Sequence, residues 1–155
     1  MKIPINKKSR KFLQGTFLPK NPNKYKGSLP IIYRSSLELT SFRWMDNNPN
    51  IITWGSESVI IPYQSPLDNR IHRYFVDLVA LLKDKEGNTK KLLIEVKPSK
   101  QTSKPTVSSR KSSKTVLYEQ TQFVLNQAKW EAAQQYCTKN NYTFIILTEK
   151  DLIGG

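Results

Sequence analysis

The sequence has few residues with which to bind a transition metal or form a disulfide. It contains one cysteine, Cys137, and one histidine, His72, among 155 residues. A single cysteine excludes an intramolecular disulfide, and one residue of each kind is too few for a structural zinc site built from nitrogen and sulfur ligands. We therefore expect any bound metal ion to be held by oxygen atoms and Cys137 to be a small core residue.

The chain also lacks a long apolar run. No stretch approaches the roughly 20 consecutive apolar residues that span a bilayer. The basic N-terminus, MKIPINKKSRKF, has no apolar segment of the kind found in secretory signals. No strongly amphipathic basic helix with a bulky apolar face is evident. We expect a soluble, intracellular protein that has no membrane partner.

Acidic residues are scarce. The 12 Asp and Glu against 25 Lys and Arg leave a net charge of +13, which favours a polyanionic partner, nucleic acid above all. No acidic residue occurs in residues 1–37 or in 96–118. The first stretch predicts a basic N-terminal arm over residues 1–31, kept extended by its prolines, and the second predicts a mobile basic loop over 98–115. The residues expected to contact DNA are Lys104, Arg110, Lys111, Lys114 and Arg73.

Between these stretches the pattern is that of an ordered α/β domain. A helix is predicted from Ser35 or Ser36 to about Asn47, and a longer one from Val116 to about Lys139. Strands are predicted at Ile51–Trp54, Ser58–Tyr63, Arg73–Leu82, Lys91–Lys97 and Tyr142–Leu147. This order predicts an α/β sandwich around a mixed β-sheet flanked by helices.

The register of one predicted hairpin brings two acids together. If the turn centres near Glu86, Asp77 lies directly opposite Glu95. Because side chains alternate along a strand, Asp77 is expected to share its face with Phe75 and Val79. Two carboxylates are therefore predicted to meet inside apolar strands.

Such a pair is unfavourable unless a cation accompanies it. Like charges directly opposite each other destabilise a sheet, and partly buried carboxylates tend to protonate. A hard divalent ion that takes oxygen ligands resolves both problems. Lys97 lies on the same face as Glu95, where it can orient a water molecule or stabilise a phosphate oxygen. The alternative is that Asp77, Glu95 and Lys97 form a structural ion pair, which leaves one carboxylate uncompensated.

These residues carry a family resemblance. Tyr74 to Asp77, followed after a hairpin by Ile94 to Pro98, resembles the PD-(D/E)XK nuclease motif, with Val76 where the first part often has proline. The segment Tyr33–Glu38 resembles the first helix of that fold, whose glutamate completes the site. The run from Ile32 to Glu149 is similar to the head-completion nucleases of T-even-type myophages and to the TnsA-like endonuclease domain.

The resemblance implies a restriction-endonuclease-like core and a role for each matching residue. Asp77 and Glu95 would bind Mg²⁺ or Mn²⁺, with the Val96 carbonyl as a third ligand. Glu38 would bind the metal directly or through water. Lys97 would position the attacking water or stabilise the transition state.

Other candidate residues remain open. Glu57 precedes a strand and either approaches the metal or is a solvated turn acid. Gln120 and Lys129 of the last helix either face the DNA groove or lie on the helix surface. His72 is expected on the surface or facing DNA. The tryptophans are expected to be packing anchors more than base-stacking platforms.

The function implied is a metal-dependent DNA endonuclease, carried by a domain over residues 32–155, that acts in phage head completion and DNA packaging. Its partners would be double-stranded DNA, bound with little sequence preference, and phage head or portal proteins. It would work in the host cytoplasm during assembly, with association with the virion as a further option. The alternatives are a non-catalytic DNA-binding head-assembly protein that retains the fold and a small basic RNA-binding protein.

Overall fold

A four-stranded mixed sheet lies at the centre of the structure, a computed structural model that describes residues 14–152. The strands are β1 (Gly15–Phe17), β2 (Ile31–Tyr33), β3 (Ile51–Ser56), β4 (Ile60–Gln64), β5 (Ile71–Phe75), β6 (Leu78–Lys83), β7 (Thr89–Val96) and β8 (Thr143–Leu147). The helices are α1 (Ser36–Asn47), α2 (Ser113–Asn140) and α3 (Glu149–Leu152), with short 3₁₀ turns at Pro22–Lys24 and Ser99–Gln101.

The central sheet has the strand order β3-β6-β7-β8. The β7–β8 pair is parallel and the other two pairs are antiparallel, so the sheet is mixed, as predicted. β7 is the strand that separates two hydrophobic cores. Its Leu92 and Ile94 pack with the α1 side of the molecule, whereas Leu93 packs with Trp130 of α2. The alternation of side chains along one buried strand thus defines both layers of the sandwich.

Both long helices begin at serine caps. The Ser35 side chain accepts a hydrogen bond from the Glu38 backbone N–H at 3.1 Å, so α1 begins where the sequence predicts. α2 begins three residues earlier than predicted, because Ser112 accepts from the Thr115 N–H. It ends at Asn140, and the C-cap residue Asn141 adopts the left-handed conformation with φ of 61°.

The strand predicted over Arg73–Leu82 is two strands, β5 and β6, and the prediction of one continuous strand is wrong. The chain leaves the ladder because the Val76 N–H donates to the Val59 carbonyl and the Asp77 carbonyl accepts from the Glu57 N–H. As a result β5 pairs with β4 in a separate two-stranded sheet, here called the ribbon. Phe75 consequently lies exposed on the ribbon and not beside Asp77 on the sheet face.

The ribbon packs one face on α2. The side chains of Ile61, Tyr63 and Tyr74 are buried there, in the same core as Trp130. Its other face is exposed, with Ile60, Pro62, Arg73 and Phe75 among the residues on it. The ribbon therefore extends the α2 layer beyond the central sheet.

The N-terminal region differs from the expected basic arm where the structure describes it. β1 pairs antiparallel with β2, and Phe17 and Ile31 are buried in the core with Phe42 of α1. Residues 14–31 are thus part of the folded domain. Residues 1–13 of the predicted arm lie outside the described part of the chain.

The basic loop after β7 begins with the 3₁₀ turn Ser99–Gln101 and continues without regular structure to α2. The Glu149 carboxylate of α3 accepts hydrogen bonds from the backbone N–H and the hydroxyl of Ser99, at 2.9 and 2.5 Å. The start of the loop is thereby fixed to the end of the domain. The mobility of the loop stays a prediction. Within residues 14–152, no helix has both the length and the apolar character needed to cross a membrane.

The segment before β2 is joined to the end of α1 by buried polar contacts. Lys24 Nζ donates to the carbonyl oxygens of Met45, Asp46 and Asn48 at 2.8 to 2.9 Å. The Asp46 carboxylate, only 2% exposed, accepts from the backbone N–H groups of Lys20 and Asn21. These contacts satisfy carbonyl groups that the helix itself leaves unpaired.

Lys24→Met is expected to lower the free energy of unfolding by about 2 kcal/mol, because three partly buried carbonyls lose a charged donor. Urea denaturation followed by circular dichroism measures the change. Lys26→Met is the matched control, since Lys26 is exposed two residues away. Equal stability of the two variants would contradict this role of Lys24.

Candidate active site

The register of the β6–β7 hairpin is the one predicted. Leu78 pairs with Ile94. Asp77, which directly precedes β6, therefore lies opposite Glu95 of β7. The ladder ends at Leu78, so Asp77 stands at the point where the chain turns away into the ribbon. The Val96 backbone N–H donates to Asp77 Oδ2 at 2.8 Å, which holds the aspartate side chain across the strand pair.

Glu95 is buried and held by two donors from different elements. Its Oε2 accepts from the Tyr74 hydroxyl of β5 and from Trp130 Nε1 of α2, the latter at 3.1 Å. Burial and the neighbouring Glu95 charge raise the pKa of Tyr74 far above its ordinary value, so this hydroxyl remains a donor. Both groups donate to Oε2, and neither of them donates to Oε1.

Sequence reasoning missed these two partners of Glu95. The sequence predicts Trp130 only as a packing anchor, and its neighbours on the helix give no sign that the indole N–H reaches a carboxylate 35 residues away. Tyr74 belongs to the segment that resembles the first part of the nuclease motif. Its position three residues before Asp77 is the one feature of the sequence that indicates its place near the carboxylates.

Burial and the charge of Glu95 strongly perturb the pKa of Asp77. Together they raise this pKa well above the ordinary aspartate value. The Val96 N–H and the Lys97 charge act in the opposite direction but do not cancel the effect. Without a cation, the protein therefore favours a proton on Asp77 at pH values where a free aspartate is ionised.

Two lysines border the carboxylate pair. Burial raises the pKa of both Asp77 and Glu38, and the charge of Lys97, which follows directly on β7, offsets a small part of each rise. Lys129 of α2 is half-buried, and its own pKa is lowered by burial and by the charge of Lys97. The charges of Glu95 and Asp77 partly offset this shift.

A second pair of acids lies near Lys97. Glu38 Oε2 accepts from the Arg34 backbone N–H at 3.2 Å, and Arg34 Nη1 makes an ion pair with Glu57 Oε1 at 2.5 Å. Burial raises the pKa of Glu38, and the Glu57 charge raises it further. Glu57 has a φ of 52°, and its N–H donates to the Asp77 carbonyl. Arg34, which sequence reasoning did not single out, thus links both acids.

Among the predicted acidic site residues, all of which lie within the described chain, Asp77 and Glu95 are the two that adjoin each other. Within residues 14–152, no three Asp, Glu, His or Cys side chains gather as a metal-binding group. Glu38 and Glu57 are electrostatic neighbours of the site, and their binding to a metal stays a prediction. The same holds for the Val96 carbonyl.

Other predicted site residues lie on the protein surface. Gln120 is exposed on the first part of α2. Arg73 is on the outer face of the ribbon, with its guanidinium 5.4 Å from the ring centre of Phe75. His72 is exposed and forms an ion pair with Asp68 at 2.8 Å when protonated. A role for Arg73 or Gln120 in DNA binding stays a prediction.

The loop cations do not share one environment. Lys104, Arg110 and Lys114 are exposed. Lys111 Nζ pairs with Glu119 Oε2 at 3.0 Å, so part of its charge is compensated within the protein. The first three are therefore the better candidates for phosphate contacts.

Two comparisons with known proteins bear on this site. A family model described as TnsA-like endonuclease N terminal matches residues 48–149. The chain belongs to this TnsA-like endonuclease family. The head completion nuclease of Enterobacteria phage T4 is 39% identical over 142 residues, which cover 89% of this chain and 92% of the phage protein. The matched family region includes Asp77, Glu95 and Lys97, whereas Glu38 precedes it. The restriction-endonuclease-like fold implied by the sequence is thereby supported, together with the mixed sheet.

Asp77→Asn is expected to stabilise the metal-free TnsA-like domain at alkaline pH. The raised pKa of Asp77 means that the folded protein binds more protons than the unfolded chain between the ordinary aspartate pKa and the raised value. Wild-type stability therefore falls as the pH rises through this window. The variant lacks that penalty and should gain on the order of 1 kcal/mol near pH 8.

The gain should shrink toward pH 4, where Asp77 is protonated in the wild type. Urea denaturation in EDTA at several pH values measures it. Glu86→Gln, at the exposed tip of the same hairpin, is the control and should show no such trend. A variant less stable than wild type at every pH would contradict the predicted repulsion.

Proposed function

We propose that this protein is a DNA endonuclease that hydrolyses phosphodiester bonds with a divalent metal ion and acts in the completion of phage heads. The observation that carries the proposal is the Asp77–Glu95 pair, in which Glu95 is buried and Asp77 partly so. The repulsion between the two carboxylates favours a cation between them, and Lys97 borders the pair. Membership of an endonuclease family and similarity to a protein named head completion nuclease support the substrate and the biological role.

The donor set fits Mg²⁺ or Mn²⁺. Both ions prefer oxygen ligands, and the two carboxylates present only oxygen. Asp77 and Glu95 would hold the ion, with the Val96 carbonyl as a further ligand and Glu38 acting directly or through water. When bound, the metal supplies a Lewis acid that lowers the pKa of water and offsets negative charge developing on the phosphate.

The side chains around the pair have separable tasks. The Tyr74 and Trp130 donors fix Glu95 through one oxygen, so its other oxygen has a defined direction. Lys97 provides an ammonium beside the carboxylates, suited to orienting the attacking water or to stabilising charge in the transition state. The Arg34 link keeps Glu57 and Glu38 at the edge of the site.

Substrate binding would come from the excess of positive charge. A net charge of +13 favours the phosphate backbone of double-stranded DNA without reading its bases. Head or portal proteins would direct the enzyme to its substrate. The assembly role would place it in the host cytoplasm, with the virion as a further location.

Asp77→Ala and Glu95→Ala are each expected to abolish plasmid nicking in the presence of Mg²⁺ or Mn²⁺ while leaving DNA affinity largely intact. Lys97→Ala should reduce the cleavage rate on the order of 10²-fold without weakening metal binding. Gel assays of supercoiled plasmid measure the rates, and a calorimetric Mn²⁺ titration measures metal affinity.

Glu131→Gln, which removes an exposed acid of α2, is the matched control and should retain full activity. Wild-type cleavage that persists in EDTA would refute metal dependence. DNA binding with no cleavage under any metal condition would instead support the non-catalytic head-assembly protein.

The exposed cations of the basic loop are expected to contribute to affinity and not to chemistry. Replacing Lys104, Arg110 and Lys114 together by alanine should weaken binding to duplexes of any sequence. A plot of the logarithm of the DNA-binding constant against the logarithm of the salt concentration should also become shallower, by about 0.9 for each phosphate that the variant no longer binds. Fluorescence anisotropy between about 50 and 200 mM salt measures the slope.

Lys111→Ala alone is the comparison, since Lys111 is already paired with Glu119 and should change the slope less. Cleavage at saturating DNA should survive in both variants. A triple variant with the wild-type slope would show that the loop does not touch phosphate.

A further inference from the structure

Lys129 occupies an unusual position for a helix lysine. The buried face of α2 contains Asn126, Trp130, Ala133 and Cys137, which pack toward the sheet. Lys129 directly precedes Trp130, and its side chain runs toward the ribbon and is only partly exposed. It therefore lies at the junction of α2, the ribbon and the carboxylate pair.

Two tyrosine rings hold the ammonium in this position. Lys129 Nζ lies 5.7 Å from the ring centre of Tyr74 and 5.9 Å from that of Tyr63. Aromatic faces attract a cation at such distances. Tyr74 also donates its hydroxyl to Glu95, so the ammonium and the carboxylate contact the same side chain.

This ammonium nevertheless has no carboxylate partner among the described residues. The ion pairs within residues 14–152 are Arg34–Glu57, His72–Asp68 and Lys111–Glu119. A partly desolvated cation without an ion pair is costly, and its proximity to Lys97 adds repulsion. The rings offset only part of this cost.

The local charge balance favours an anion as a partner for this lysine. Asp77 and Glu95 carry two negative charges at most, and a divalent cation between them would neutralise both. Lys97 and Lys129 would then be two ammonium groups without countercharge at the same site. A phosphate diester supplies the negative oxygens that such groups bind.

Building on the proposed function, we propose that Lys129 binds a non-bridging oxygen of a DNA phosphate at the active site. The ammonium is compact, and the Tyr63 and Tyr74 rings hold it in place. Its partial burial strengthens the interaction with an anion relative to a fully solvated lysine. Lys129 thus approaches the substrate from α2, whereas Lys97 approaches from β7.

Lys129→Met tests this, since it removes the charge and keeps a long aliphatic side chain against the tyrosines. Lys139→Met is the control, because Lys139 is an exposed lysine of the same helix. Affinity for a short duplex is measured with Ca²⁺ in place of Mg²⁺ across about 50 to 200 mM salt, so that the oxygen ligands hold a divalent ion, and a gel checks that the duplex stays intact. The single-turnover cleavage rate is then measured at saturating DNA with Mg²⁺.

The logarithm of the DNA-binding constant falls linearly with the logarithm of the salt concentration. Lys129→Met should make this slope shallower by about 0.9, the value for one phosphate contact. It should also reduce the single-turnover rate on the order of 10²-fold. Lys129→Arg should keep the slope, and Lys139→Met should change neither quantity. The calorimetric Mn²⁺ affinity of Lys129→Met should not fall, which separates a phosphate contact from damage to the carboxylate pair.

A wild-type slope in Lys129→Met, or a wild-type cleavage rate, would overturn the proposal. An inactive wild-type protein would instead contradict the proposed hydrolysis, and a lowered slope in the variant would still establish the phosphate contact. Thermal unfolding checks that the variant folds. Removal of a half-buried charge that has no ion pair should leave its midpoint unchanged or raise it.

Discussion

The repulsion between two carboxylates at the end of one strand pair is the constraint on which the rest of the structure depends. Asp77 and Glu95 face each other where β6 and β7 stop pairing, and each accepts hydrogen bonds from the protein. A backbone N–H holds the first, and two side chains from separate layers hold the second. The fold thus maintains an arrangement that is unfavourable while both carboxylates are ionised, and this repulsion follows from the backbone register.

The site exists because the sheet divides at this point. If β5 continued into β6, Asp77 would be one more residue of a closed ladder. The break instead sends β5 into the ribbon, which packs on α2 beyond the end of β6. The same break lets the ribbon carry Tyr63 and Tyr74 to α2, so the side chains around Glu95 come from the ribbon, β7 and α2. Local loss of regular pairing therefore brings together the residues that surround the carboxylates.

Much of this could be predicted from the sequence, and the failures have physical causes. Apolar alternation and serine caps locate α1, α2 and most strands, and the hairpin turn is enough to set the register that places Asp77 opposite Glu95. The break after Phe75 could not be predicted, because it depends on hydrogen bonds to residues 57–59 that are distant in sequence. The hydrogen bond of Trp130 and the position of Lys129 could not be predicted either, because contacts between layers leave no periodic pattern in the sequence. The buried Phe17 shows that a basic, proline-rich segment can still contribute to a core.

The shared oxygen of Glu95 has a consequence for how this sequence can evolve. A tyrosine from the ribbon and a tryptophan from α2 donate to the same atom, so replacing either one by an apolar residue leaves an incompletely satisfied buried carboxylate. A substitution at one position is then tolerated only if the other donor, or the helix that carries it, shifts in compensation. Positions 74 and 130 are therefore expected to covary in related proteins, although they are far apart in sequence and belong to different layers.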